Sequence, residues 1–222
     1  MLSGVSAGAT RRFQEVRTLL SYIAAKESTP PMADSDEITM LRGLFFVHLY
    51  AAFEFSVTDA VQGLLQQISQ RRIPYAHLEQ LFHAVALDGG FAAIADAGPG
   101  KKWKARKNLL RLQRSQDPCQ INDTAFHRDL QNVWYETLEN LFECFCINPP
   151  VLPDPRFQGY IDEVVEKRNA VAHGRESPLV VGRMRTSGLR TRVDAMSGTA
   201  MHVILQFGEH LASRAFVASA HR

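Results

Sequence analysis

Cysteine is scarce in this chain, at 3 in 222 residues. Cys144 and Cys146 stand two apart on an expected helix, so they face different directions and neither bridge nor chelate together. With Cys119 they form an odd, sparse set that fits a reducing cytoplasm rather than a disulfide framework. Metal-ligand spacing is missing as well. The 8 histidines are scattered and no carboxylate–histidine pattern stands out, so neither metal nor cofactor is expected. No P-loop and no local Ser-His-Asp signature occurs. The segment Met1 to Thr10 is small and polar and lacks the apolar core of a signal peptide. The run from Leu44 to Val57 is interrupted by His48 and Glu54 and is too short to span a bilayer, so a buried core helix is expected there and no membrane partner. Strand-like alternation is absent; Leu179-Val180-Val181 is too short to count. A net charge of +2 neither demands nor excludes a nucleic acid, because a strong electrostatic footprint would be more basic.

What remains is helical. Apolar residues make up 45% of the chain, enough for a sizeable core. Phe13, Val16, Leu19, Leu20 and Ile23 predict an amphipathic helix over 10–25, and Pro30-Pro31 a connector. Asp34-Ser35-Asp36-Glu37 supplies an N-cap and first-turn carboxylates for a long helix reaching about Arg72. That helix is apolar on two faces, Leu41, Phe45, Ala52 and Phe55 on one and Phe46, Val47, Tyr50 and Val57 on the other, as befits a central helix. Further helices are predicted over 75–87, 101–116, 122–146, 156–173 and 187–218, with Gly89-Gly90 as a break before an added turn over 91–97. The chain therefore reads as an all-α bundle with long central antiparallel helices and no significant sheet. Residues 1–33 read as a helical extension with its connector, and 34–222 as the main domain.

The helix ending at His173 contains an anomaly. Ile161, Val164 and Val165 begin a core-facing stripe whose next members fall at 168 and 172, yet 168 is arginine. Asn169 and His173, four apart, stack on its flank, while Glu163, Lys167 and Ala170 are expected to point away. A cation on a buried stripe is costly unless a partner or a task compensates. Glu54, on the less expected side of the long helix, is a candidate partner, and a plain internal salt bridge is the structural alternative. His48 and Asp59 read as satisfied core polars.

Arg168-Asn169-x-x-x-His173, closing a helix before Gly174, resembles the R-(N)-x-x-x-H signature of HEPN-domain proteins, small α-helical RNases of which many are toxins or antiviral effectors. The likeness covers roughly residues 36–217 and sits nearest the stand-alone bacterial HEPN-like nucleases. It implies an HEPN-like bundle and a metal-independent endoribonuclease. It also implies a homodimer that packs motif helix against motif helix, and a regulatory protein partner or antitoxin. Arg168 and His173 are then the catalytic pair: histidine as a residue type titrates near neutrality, and a guanidinium fork matches phosphoryl oxygens. Asn169 would orient the imidazole or contact the backbone, and Glu54 resembles the polar residue that supports the motif. Some HEPN toxins carry, two residues beyond the histidine, a tyrosine modified by a partner nucleotidyltransferase. Here Arg175 stands there, so the likeness does not extend to that silencing route.

For RNA, the basic residues after the motif, Arg175, Arg183 and Arg185 with Arg190 and Arg192, are the nearest candidates to meet phosphates. The denser run Lys101 to Arg114, with Trp103 to stack a base and Leu109, Leu110 and Leu112 as further anchors, is more often a solvated face. The rival function is a non-catalytic HEPN-like module that binds a nucleotide, an RNA or a protein partner through Arg168.

Overall fold

The structure, a computed structural model, describes residues 2–222, and its architecture is all-α: nine α-helices and no strand occur among the described residues. The longest, α2 (Asp36–Gln70), starts where Ser35 caps it, the Ile38 N–H donating to Ser35 Oγ at 3.5 Å, with Asp36 and Glu37 in its first turn. By length and composition alone α2 could cross a membrane, but 56% of that apolar window is buried inside the fold, as in a core helix. Against it pack α1 (Ser3–Lys26), α7 (Phe157–Ala172), α8 (Pro178–Val181) and α9 (Thr186–Ser213). Phe13, Val16 and Ile23 of α1 bury in the same core as Phe45, Phe53 and Leu64 of α2 and Met196, Val203 and Phe207 of α9. The connector at 27–35 thus joins two stretches that share one core.

The remaining elements are shorter than the periodicity predicts. The expected helix over 75–87 is a 3-10 turn at Tyr75–His77 followed by α3 (His83–Ala86). Between them the C-terminal tail takes the backbone groups a helix would use: the Glu79 N–H donates to Phe216 O at 2.9 Å and the Ala218 N–H to His77 O at 2.8 Å. That tail is free to do so because α9 stops at Ser213, with Arg214 left-handed, instead of running to 218. Gly89-Gly90 does not break the chain but lies in the first turn of α4 (Asp88–Ala95). The basic helix α5 spans Lys102–Gln113.

Likewise the helix expected over 122–146 is only α6 (Tyr135–Cys144). Asn122 folds into an Asx turn, its Oδ1 accepting from the Thr124 N–H at 3.1 Å and hydroxyl at 2.8 Å. Tyr50 then claims the next backbone groups, its hydroxyl accepting from the Val133 N–H at 2.8 Å and donating to Gln131 O at 3.3 Å. This break places Asn132 beside the motif helix.

One ion cluster pins the bundle. Arg42 is buried on α2, donating to Glu27 Oε1 and Asp34 Oδ2, both at 2.8 Å, and to Gly182 O at 2.9 Å. It thereby ties the end of α1, the connector and α8 to α2. Burial pushes the Glu27 carboxyl up, but Arg42, Thr186 and Arg185 outweigh it and hold it below its ordinary value. The approach of α8 needs a missing side chain: a Cβ at Gly182 would lie 1.8 Å from Thr39 O.

Candidate active site

Helix α7 is held at both ends. The Asp154 carboxylate accepts from the Arg156 N–H at 2.9 Å ahead of the first turn, and Asp162 Oδ1 accepts from the Tyr135 N–H at 3.1 Å, joining α7 to the start of α6. At the far end Gly174 takes φ +67°, and the Arg175 N–H closes back on Ala170 O at 2.8 Å. His173 is the residue just past the last helical turn and is exposed. The buried stripe Ile161, Val164 and Val165 is as expected, but it rotates at its end: Ala170 is buried and Ala172 exposed, the reverse of the wheel. The close return of the chain onto Ala170 O is the physical reason, since it folds the post-helix turn over that side.

Arg168 lies over the Tyr50 ring, its guanidinium carbon 4.4 Å from the centroid. It donates to Asn169 Oδ1 at 2.6 Å, to Asn132 Oδ1 at 3.3 Å and to Glu54 Oε2 at 3.4 Å. Asn169 is thus turned to Arg168, not to the His173 imidazole. Two residues that the sequence reading did not assign to the site, Asn132 and Tyr50, complete this setting. Tyr50 is fully buried, and burial raises its phenol far above the ordinary range, so it acts as a neutral hydrogen-bonding platform.

The Arg168–Glu54 pair is loose. The side chains are 21% and 31% exposed, and burial raises the Glu54 pKa by more than Arg168 lowers it. Glu163, next to the motif on the same helix, behaves oppositely. Burial pushes it up, but Lys167 at 2.7 Å and Arg192 at 2.6 Å outweigh that and leave it low. Arg42, sealed at 3% exposure, is held by two carboxylates and a carbonyl, and the part-exposed Arg192 by Glu163 at 2.6 Å. Arg168 is set up differently: its shortest contact is a neutral amide, its carboxylate partner is distant, and its head reaches solvent. A shallow open groove of about 370 Å³ runs beside Glu54, lined by Ala51, Phe55, Thr58, Asp59 and Gln62.

The family model described as RiboL-PSP-HEPN matches residues 10–190, well over half of the chain and all of α7. The chain belongs to the RiboL-PSP-HEPN family. Compared with curated proteins and with solved structures, it has no match. The matched span reaches further toward the N-terminus than the likeness seen from the motif, taking in most of α1, which packs into the common core.

In this HEPN chain the expected phosphate-binding arginines divide. Arg175, Arg183 and Arg190 are exposed, whereas Arg185 is spent on the connector, donating to Ser28 O at 2.6 Å and Glu27 at 3.4 Å. Arg185 therefore leaves the RNA-contacting set, and Arg192 leaves it for Glu163. His48 and Asp59 are half-exposed on α2, not buried core polars. Burial pushes the Cys119 thiol up to about 11 and raises Cys144 and Cys146 too, which disfavours thiolate chemistry. A larger cavity, about 1070 Å³, lies elsewhere and sets Glu79, Glu139 and Glu143 against the single cation Arg222, so its lining is acidic. Size does not mark the site here.

Proposed function

We propose that this HEPN protein is a metal-independent endoribonuclease that cuts RNA at a site shared between two copies of the chain. Family membership supports an RNA-related, nuclease-like module. The observation that carries the catalytic reading is how Arg168 is answered: its carboxylate partner stands at 3.4 Å and its side chain is part-exposed, whereas Arg42, Arg185 and Arg192 are each held by a carboxylate or carbonyl oxygen at 2.6–2.8 Å. Arg168 neutralises the scissile phosphate as charge builds on its oxygens. His173 accepts the proton of the ribose 2′-OH, which attacks the adjacent phosphorus, and an imidazole returns a proton to the departing 5′-oxygen. The products are a 2′,3′-cyclic phosphate and a 5′-hydroxyl. Asn169, Asn132 and Glu54 position the guanidinium, and Arg175 and Arg183 meet flanking phosphates.

Two features support a composite site. At about 100° per residue His173 projects roughly 140° round α7 from Arg168, so one copy does not aim both groups at one atom. On α2 the apolar Met40 and Leu44 are exposed, with Val180 of α8, and Phe55 is exposed under the Arg12 guanidinium of α1. A second copy covering these residues would shield them and bring a second motif helix up to the first. A toxin or defence role, with a regulatory partner or antitoxin, is part of this proposal through the family alone.

The test is incubation of wild type, Arg168→Ala and His173→Ala with labelled single-stranded RNA and total tRNA in EDTA. Cleavage by wild type, lowered by about 10²–10⁴-fold in His173→Ala with the fold intact, is the expected result. Equal cleavage by all three points to a contaminant and leaves the motif structural. No cleavage by any favours the binding module.

A further inference from the structure

The hairpin of α4 and α5 stands apart from the chemistry just described. Neither helix buries a single residue, in contrast to every other helix of eight residues or more among the described residues. Its stem is stapled to the body by backbone hydrogen bonds, Tyr75 N–H to Asp117 O at 3.2 Å, Ala76 N–H to Ser115 O at 3.0 Å and Cys119 N–H to Ile73 O at 2.8 Å. The arm is therefore fixed at its base and open along its length.

The charge of its second half is one-sided, while the first half carries Asp88 and Asp96. Residues 98–116 hold 7 of the chain's 25 Lys and Arg and none of its 23 Asp and Glu, so 18 cations face 23 carboxylates in the rest of the molecule. The modest net charge conceals this dipole. Within α5, Leu109 and Leu112 lean on the body, half-buried. The opposite face carries Trp103 and Leu110, two turns apart, exposed by 71% and 62%. Trp103 was expected to anchor this helix; it faces water instead, with the Arg106 guanidinium 5.0 Å from its ring. A tryptophan left in solvent on a helix that carries cations and no carboxylate is arranged for a partner that is both aromatic and anionic.

We infer that the α4–α5 hairpin is an RNA-anchoring arm, on which a base of a single strand stacks on Trp103 while Lys104, Arg106, Lys107, Arg111 and Arg114 take phosphates. Choosing RNA among polyanions rests on the endoribonuclease reading above. An anionic membrane fits less well, because an interfacial helix needs a continuous apolar face. Here cations occupy the positions between and beside the two apolar ones on the same outward side.

The experiment measures binding, not cutting. Fluorescence anisotropy of a short single-stranded 2′-O-methyl RNA, which offers no 2′-OH nucleophile, is followed against salt for wild type, Trp103→Ala and the triple variant Lys104→Ala/Lys107→Ala/Arg111→Ala. Trp103→Ala should weaken binding by about 5- to 100-fold with the salt slope unchanged. The triple variant should lower the slope of log K against log salt by about 2, since each single-strand phosphate left without its cation removes about 0.7. Circular dichroism should match wild type, as all four side chains are exposed. RNA affinity and slope unchanged in both variants overturn the arm, and so does a loss confined to phosphatidylserine vesicles, which makes it a membrane contact. A protein that binds RNA through the arm yet cuts none keeps the arm and removes the endoribonuclease reading. One that cuts RNA while both variants bind like wild type does the reverse.

Discussion

Arg42 and Arg168 both interrupt apolar helix faces, and they differ in how fully their charge is answered. Arg42 is met by two carboxylates and a carbonyl at 2.8–2.9 Å, so Arg42→Ala takes the main cation from two mostly buried carboxylates, leaving them the more exposed Arg185 with Thr186 and Ser28, and should cost about 3 kcal/mol in urea unfolding. Arg168→Ala breaks a loose, part-exposed pair and should cost about 1 kcal/mol or less. Its signature lies in Glu54: because Arg168 holds that carboxyl down against burial, removing it should raise the Glu54 pKa further in a carboxyl NMR titration. A fall or no change would mean that the two do not interact in solution. Arg168 and Glu54 were legible because each violates a stripe that its neighbours define. Arg42 was not, since its partners Glu27, Asp34 and Gly182 come from elsewhere in the chain and no local pattern announces them. Asn132 was hidden for a related reason, being read as part of a helix that Tyr50 prevents.

Long, strongly patterned elements are recoverable from residue order, and α2 and α7 fall within two residues of the periodic reading. Their caps are local and chemical: Ser35 at one start, Gly174 at one end. Segments 75–87 and 122–146 misread because tertiary partners, the tail at 216–218 and the Tyr50 hydroxyl, compete for backbone groups that periodicity assigns to a helix. At this scale α8 is the sensitive piece, since it links the motif turn to α2 and Arg42. Gly182→Ala would press a methyl onto the Thr39 carbonyl, a backbone atom that cannot rotate aside. The expected cost is about 1–3 kcal/mol, with a lower melting temperature. A neutral Gly182→Ala would show that α8 does not sit this closely on α2.

Over the whole molecule, burial and cationic charge are distributed differently. The core runs through α1, α2, α7 and α9, while the cationic charge collects on an arm that contributes nothing buried from its two helices. Acid should act on the core through His210, whose pKa is lowered to about 4, chiefly by burial and then by Arg222 and Arg71. Its Nε2 has no partner, so the folded state disfavours the proton that the unfolded chain accepts near 6.5. Stability is therefore present above about pH 6.5 and drains as pH falls toward 4, by up to about 3 kcal/mol from this group. Glu27 and Asp34, both held low, add losses at still lower pH. Urea melts should show that His210→Leu removes the loss between pH 6.5 and 4.5 and keeps the later one. The family, the all-α bundle, the motif and the basic run Lys101 to Arg114 were legible in residue order; that Trp103 and Leu110 face water was not, because an apolar residue on an amphipathic helix reads as an anchor.

The proposed chemistry makes the ribose 2′-OH the nucleophile at a metal-free HEPN site. The direct measurement compares one labelled RNA with its fully 2′-O-methylated copy in EDTA and identifies the product ends. Cleavage of the unmodified strand alone, leaving a 2′,3′-cyclic phosphate and a 5′-hydroxyl, is the expected result. Cleavage of both strands, or fragments ending in 5′-phosphate and 3′-hydroxyl, would contradict it.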